Sequence, residues 1–257
     1  MRGLPRCSSP TAVPKPHPPH ELARMSNDLP LGRAVSGWTS RPRPPRAAMQ
    51  GRFCRLEPLS AELHADSLFD ANALDHEERM WTYLLQGPYG SRAEYRAYLE
   101  KCSASEDPLF FAIVDSGIER ATGLGSYLRI EPAHGVIEVG HLAFSPLLQR
   151  TAAATEAMYL MMRQVFELGY RRYEWKCDAL NARSRRAAER LGFTFEGIFR
   201  QAVVYKGRNR DTAWYAIIDS DWPAIDAEFR RWLAPDNFDS RGVQRTPIQN
   251  GVPKTSR

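Results

Sequence analysis

"EVGHLAFSPLLQRTAAATEAMYLMM", Glu138 to Met162, is the stretch on which the fold turns. Its first part alternates apolar and polar residues as a strand does, Ser145-Pro146 breaks it, and helical spacing follows. The spacing predicts a helix from Ala152 to Leu168, with Ala157, Leu160, Met161, Val165 and Leu168 apolar and Gly169 closing it. The intervening turn contains no glycine. A strand that feeds a helix aims unpaired N–H groups and the positive end of the helix dipole beyond the strand end, which suits a phosphate or pyrophosphate. A crossover that serves only packing fits the same geometry equally well.

Upstream, "GRFCRLEPL" reads as a strand through Phe53, Cys54 and Leu56, and Ser60 caps a helix with Leu63, Leu68 and Phe69 as core candidates. A second helix is expected from Arg92 to about Cys102, after the aromatic, turn-rich "WTYLLQGPYGS". "LFFAIVD" and "ATGLGSYLRIEP" form a hairpin about Asp115-Ser116-Gly117, and "GVIEVGHLAFS" adds the next antiparallel strand. Downstream come the strand "RRYEWKCDA", the short helix "NARSRRAAERLG", a long hairpin from Phe193 to Asp219, and an amphipathic helix with Pro223 in its first turn. The order is β-α-α-β-β-β-α-β-α-β-β plus that last helix.

The length, 257 residues with 43% hydrophobic and 25% charged, suits one domain with a full core. Residues 1 to 50 hold ten of the 19 prolines and few large apolar side chains, so they read as a mostly disordered extension. Leu31, Val35 and Trp38 are the residues of that extension suited to lie as a strap. The globular domain is expected over 51 to 233, and 234 to 257 as a flexible tail. The net charge of +5 is mild and much of the arginine lies in the first and last segments rather than along one helix, so the charge points only weakly to nucleic acid. Four cysteines far apart and six histidines without ligand spacing indicate neither disulfides nor a metal site. No run approaches the roughly 20 apolar residues of a membrane span, and the chain reads as soluble and cytoplasmic.

From Phe53 to about Leu233 the chain resembles the GNAT superfamily of N-acyltransferases, of the type that acetylates ribosomal-protein N-termini. The resemblance is carried by Gln149 to Ala154, Q-R-T-A-A-A against the family's Q/R-x-x-G-x-G/A, followed by Thr155-Glu156-Ala157. It is carried also by Asn181-Ala-Arg-Ser184 and by Leu191-Gly192-Phe193 at the family's spacing. It implies an α+β fold: a mixed, mostly antiparallel twisted sheet flanked by helices, whose fourth and fifth strands splay to admit the pantetheine arm of acetyl-CoA. The function implied is transfer of an acetyl group from acetyl-CoA to a primary amine, a protein N-terminus or a small amine, by direct attack on the thioester. No metal takes part, no membrane is a partner, and a homodimer is left open. The alternative is a non-catalytic CoA-binding sensor or interaction module.

The resemblance also assigns roles. The pyrophosphate would accept from backbone N–H groups of Arg150, Thr151, Ala152, Ala153 and Ala154 at the helix start, Gln149 would stand at the head of this cofactor-binding run, and Asn181 would bind the pantetheine arm. Asn181 reads equally as an ordinary helix N-cap. Ser184 would stand near the thiol, and N–H groups of Leu142, Ala143 and Phe144 would hold the acyl carbonyl. Glu138, eleven residues before Gln149, matches the general-base glutamate of several members. His141 is the second candidate: it lies on the opposite strand face unless a bulge intervenes, and this strand commonly bulges in the family. Two departures stand out. Ala152 replaces the family's usual loop glycine, and Ala188 stands where many members carry a tyrosine acid. Cys177 reads as a small buried hydrophobe rather than a nucleophile. Arg183, Arg185, Arg186 and Arg190 read as a solvated face, some of it facing the 3′-phosphate of CoA. Trp81, Tyr83 and Tyr89 with Lys206, Arg208 and Arg210 are the candidates to line the acceptor end.

Overall fold

The computed structural model describes residues 29–249, so residues 1 to 28 of the extension expected to be disordered, and 250 to 257 of the tail, lie outside the described residues. The chain divides into a unit ending at Trp38 and one beginning at Thr39. The described part of the first has a turn at Ser36-Gly37 and leaves Leu31 and Val35 exposed.

In the second unit the described residues form one eight-stranded sheet. Its strands are β1 (Met49–Gln50), β2 (Cys54–Pro58), β3 (Leu109–Asp115), β4 (Arg120–Glu131), β5 (Val136–Phe144), β6 (Arg172–Asp178), β7 (Thr194–Tyr205) and β8 (Arg208–Ile218). They lie in the order β1-β2-β3-β4-β5-β6-β8-β7, antiparallel except for β5 and β6. The helices are α1 (Ala61–Asn72), α2 (Arg92–Ala104), α3 (Ala152–Glu167), α4 (Ala182–Arg190) and α5 (Trp222–Leu233). The short β1 precedes the strands expected, so the pair expected to splay as fourth and fifth is β5 and β6.

Strand alternation divides the apolar residues between two cores. One face of the sheet carries Phe111, Ile113, Tyr127, Ile137, Val139, Tyr173 and Tyr215 under α3, α4 and α5. The other carries Phe110, Ala112, Val114 and Leu124 under α1 and α2. In α1, Ser60 caps as expected, accepting from Leu63 N–H at 3.3 Å, but Leu63 itself is exposed. Leu63 falls outside the face defined by Ala61, Ala65 and Leu68, which is the one that packs on the sheet. In α3, every residue from Ala153 to Met162 is buried, because the sheet covers one side and α5 another.

Residues 39 to 50 belong to the folded unit: Met49 is buried, and Arg46 donates to the Ser103 carbonyl at 2.9 Å. The described part of the segment after α5, residues 234 to 249, is held against the domain. Asn237 is buried and donates to the carbonyls of Trp232 and Thr246 at 2.8 and 3.1 Å, while Phe238 packs on Phe53 and Trp232. Polar residues that look loose in sequence serve here as hydrogen-bond anchors for a turn against α5.

Candidate active site

β5 and β6 pair from Val136 opposite Arg172 to Val139 opposite Trp175 and then part, leaving their facing edges without a strand partner. The gap opens into a cleft of about 1740 Å³. The first turn of α3, the start of α4 and the turn at 242 to 244 line it, and β5 and β6 form its floor. Thr151 caps α3, its Oγ1 accepting from Ala154 N–H at 3.1 Å and donating to the Leu148 carbonyl at 2.7 Å. Thr151 N–H is also held, by the Leu148 carbonyl at 3.3 Å. The N–H groups of Ala152 and Ala153, first in the helix, have no acceptor among the described residues.

The alanine in place of the family's glycine carries no strain. Ala152 is the first residue of α3, and the left-handed residue of the turn is Arg150, at φ 65. Gln149 reaches back, Nε2 to the Phe144 carbonyl at 2.7 Å, and ties the turn to the end of β5. Of the expected cofactor residues, Leu142, Phe144, Gln149, Arg150, Thr151, Ala152, Ala154 and Asn181 line the cleft; Ala143 and Ala153 are turned into the two cores.

The strand does bulge. Leu124 stands opposite Ala143 and Ser126 opposite Gly140, so two steps on β4 meet three on β5, and His141 takes φ 50. The extra residue moves His141 to the sheet face that carries Glu138, and both line the cleft. His141 Nδ1 lies 2.8 Å from Ser126 Oγ, and its ring packs on Phe110 at 5.0 Å between centroids. Burial holds the His141 imidazolium below the usual histidine range, so the ring is neutral at pH 7.

Glu138 is buried beside two cations: Lys176 Nζ at 2.7 Å and Arg129 Nε at 3.4 Å, both to Oε2. Lys176 also meets Glu174 Oε2 at 2.8 Å and lies 3.6 Å over the Trp214 ring. Burial raises the Glu138 carboxyl above its ordinary value, and Lys176 pulls it partly back. Oε1 accepts no hydrogen bond from a described residue and lies on the Gly140 side, 3.9 Å from where a β-carbon would stand there.

Asn181 is the N-cap of α4, Oδ1 accepting from Ser184 N–H at 3.1 Å. Its Nδ2 makes no hydrogen bond among the described residues, and Asn181 lines the cleft. Ser184 Oγ accepts from Trp175 Nε1 at 3.0 Å, and the Cys177 thiol is a hydrogen-bonding neighbour for its own proton. Ala188 is fully buried in the main core. Cys177 is buried and its thiol pushed up, chiefly by burial, as expected of a small hydrophobe. Arg183, Arg186 and Arg190 line the cleft, Arg190 donating to Thr155 Oγ1 at 3.1 Å; Arg185 turns to Tyr215 Oη at 3.0 Å.

At the acceptor end, Tyr83 and Arg210 line the cleft. Trp81 and Tyr89 do not: they pack with Tyr95 in the second core, at 6.4 and 5.1 Å between centroids. Lys206 donates to the Trp81 carbonyl at 2.8 Å and so joins the β7–β8 hairpin to this loop. Sequence reasoning missed Lys176, Ser126 and the turn at 242 to 244. The first had a signal: Glu174, Lys176 and Asp178 alternate with Tyr173, Trp175 and Cys177 on a central strand, which sets three ionisable groups on one face. Ser126 had none.

The profile of the acetyltransferase (GNAT) domain family matches residues 54–194. A solved GCN5-related N-acetyltransferase from Brucella melitensis is 51% identical, covering 83% of this chain and 97% of its own, with a TM-score of 0.81. A GNAT-family protein of known structure from Chromobacterium violaceum is 40% identical over 76% of this chain and 98% of its own, with a TM-score of 0.71. The Salmonella typhimurium acetyl transferase that modifies the N-terminal serine of ribosomal protein L7/L12 shares the fold at 22% identity, TM-score 0.57, over 66% of this chain and 98% of its own. No curated protein matches. With the profile spanning more than half of the residues and a solved relative identical at every second position, the chain belongs to the GNAT acetyltransferase family.

Proposed function

We propose that the protein transfers an acetyl group from acetyl-CoA to a primary amine, a small amine or a protein N-terminus. The observation that carries this reading is the joint placement, in one cleft, of unpartnered helix N–H groups and two groups suited to an ammonium. Acetyl-CoA supplies an activated acetyl thioester. Ala152 and Ala153 N–H, with Arg183, Arg186 and Arg190 nearby, suit its phosphates, and the open edges of β5 and β6 suit its amide-bearing arm. Glu138, its Oε2 tied to Lys176, presents Oε1 to hold the substrate ammonium. His141, neutral and with Nε2 not engaged by Ser126, takes the proton. An N–H of Leu142 to Phe144 beyond the bulge polarises the carbonyl, and Ser184 O–H stabilises the leaving thiolate. A thiol of pKa about 8.5 leaves without a strong acid, so alanine at 188 is compatible with turnover.

Incubation with acetyl-CoA and a panel of amines, with detection of released thiol, tests the reading. We expect amine-dependent release, lowered about 10²-fold in Glu138→Gln, which no longer holds the ammonium against His141, with acetyl-CoA affinity retained. Binding of acetyl-CoA without release for any amine would favour the non-catalytic module.

Asn181→Ala is expected to weaken acetyl-CoA binding measured by calorimetry. Arg163→Ala, which removes an i,i+4 ion pair with Glu167 at 3.6 Å and a cation–π contact over Tyr159 at 5.6 Å, neither partner lining the cleft, is expected not to. Loss of the Asn181 cap also costs about 1 kcal/mol of stability, so the melting temperature is recorded alongside. Equal dissociation constants in the two variants would take Asn181 out of the donor site.

A further inference from the structure

We propose that Ser126 is a positioning residue for the acetyl transfer, holding His141 in the tautomer whose Nε2 carries no proton. The inference deepens the proposed reaction and rests on it. Ser126 is fully buried on β4 opposite Gly140, at the mouth of the β5 bulge. Its Oγ has two neighbours, the Gly140 carbonyl at 3.2 Å and His141 Nδ1 at 2.8 Å.

A serine hydroxyl has one proton to give, and a backbone carbonyl can only accept. If Oγ–H went to Nδ1, the Gly140 carbonyl would lose this donor and Nε2 would carry the ring proton into the cleft. That tautomer can donate to an amine nitrogen but cannot take a proton from an ammonium. If Nδ1–H donates to Oγ and Oγ–H donates to the Gly140 carbonyl, both short contacts become hydrogen bonds. Two bonds in place of one decide between the tautomers where water is excluded.

The bulge is what makes the relay reachable. Without the extra residue His141 would point to the α3 face, away from Ser126 and from Glu138. Phe110, packed on the imidazole at 5.0 Å, limits the ring's swing, so fixing Nδ1 also fixes the direction of Nε2. In the transfer, Nε2 takes a first proton from the bound ammonium and passes it to solvent, then takes a second as the amine nitrogen bonds to the acyl carbon. The C–S electron pair leaves with sulfur. The imidazolium so formed keeps Nδ1–H on Ser126 Oγ until Nε2 gives its proton to solvent or to the thiolate.

The experiment reads the tautomer directly. Protein labelled with ¹⁵N in its histidines is observed by imidazole nitrogen NMR at neutral pH, with a His141→Gln sample to identify the His141 signals. The expected spectrum has Nδ1 protonated and Nε2 bare, and Ser126→Ala is expected to move His141 toward the Nε2-protonated form. In the same variant kcat should fall on the order of 10-fold with KM for acetyl-CoA unchanged, a split that loosened packing would not produce. A protonated Nε2 in the parent protein overturns the proposal, as does an unaltered His141 spectrum in Ser126→Ala. Should that variant fail to fold, the parent spectrum alone decides. The expected tautomer without thiol release for any amine would sink the proposed reaction and leave the dyad standing.

Discussion

His141→Ala is expected to lower turnover by about 10²- to 10⁴-fold, the usual range for a lost general base, while acetyl-CoA affinity and the fold are kept. The side chain makes one hydrogen bond, to Ser126, and one ring contact, to Phe110, so its removal leaves the cofactor end of the cleft untouched. The pH dependence carries a definite sign. Burial lowers the histidine's pKa from 6.5, so the free base is fully present above that value and is lost as pH falls through the lowered one. The parent's rate should therefore fall on the acid side with a midpoint below 6.5. Without the imidazole the reaction waits for the fraction of amine already deprotonated, so the variant's rate should climb with pH toward the amine's own pKa, about 8 for an α-amino group. Rates measured from about pH 4.5 to 9 check this. An unchanged profile in His141→Ala together with a large loss in Glu138→Gln would transfer the base to Glu138.

The two residues show what a sequence can and cannot announce. Glu138 and the Gln149 to Ala154 run are legible because strand alternation and the strand-to-helix crossover fix their place before any contact is known. The side of the sheet taken by His141 is not. It depends on one extra residue between Gly140 and Ala143, and a bulge shifts parity without changing composition. Lys176 stands 38 positions from its partner Glu138, and only the parallel β5–β6 register joins them. The same holds for Trp81 and Tyr89. Two aromatics in a turn-rich stretch read equally as cleft lining or as core, and packing against Tyr95 on α2 settles them as core. The segment after α5 looked loose because it is polar, yet Asn237 and Thr246 spend their polar groups on each other and on the backbone.

Glu156→Ala should cost the most stability of any single change considered, roughly 3 to 5 kcal/mol. Glu156 lies in the second turn of α3 and is buried. Its carboxylate accepts from three consecutive backbone groups, the N–H of Arg52 at 2.9 Å, Phe53 at 2.6 Å and Cys54 at 3.0 Å. Alanine would leave all three donors without an acceptor, and each buried orphan costs about 1 to 3 kcal/mol. Water could reach the half-buried ones, which is why the total stays below the sum. At the size of this chain the loss corresponds to a fall in melting temperature on the order of 10 °C. Glu156→Gln should fall between, since its amide keeps one acceptor oxygen but turns an NH₂ toward the same donors. Gly51 offers a second approach to the same contact. A β-carbon there would stand 2.5 Å from the Glu156 carboxyl carbon, so Gly51→Ala should destabilise in the same direction without touching the acid itself. The effect reaches function, because this carboxylate pins the start of α3 to the entry of β2, and the N–H groups of Ala152 and Ala153 sit one turn away. Acetyl-CoA should therefore bind Glu156→Ala more weakly even at temperatures where the variant is folded. A melting temperature within about 2 °C of the parent's, where 1 kcal/mol is worth about 2 to 4 °C, would mean that solvent replaces the carboxylate at little cost.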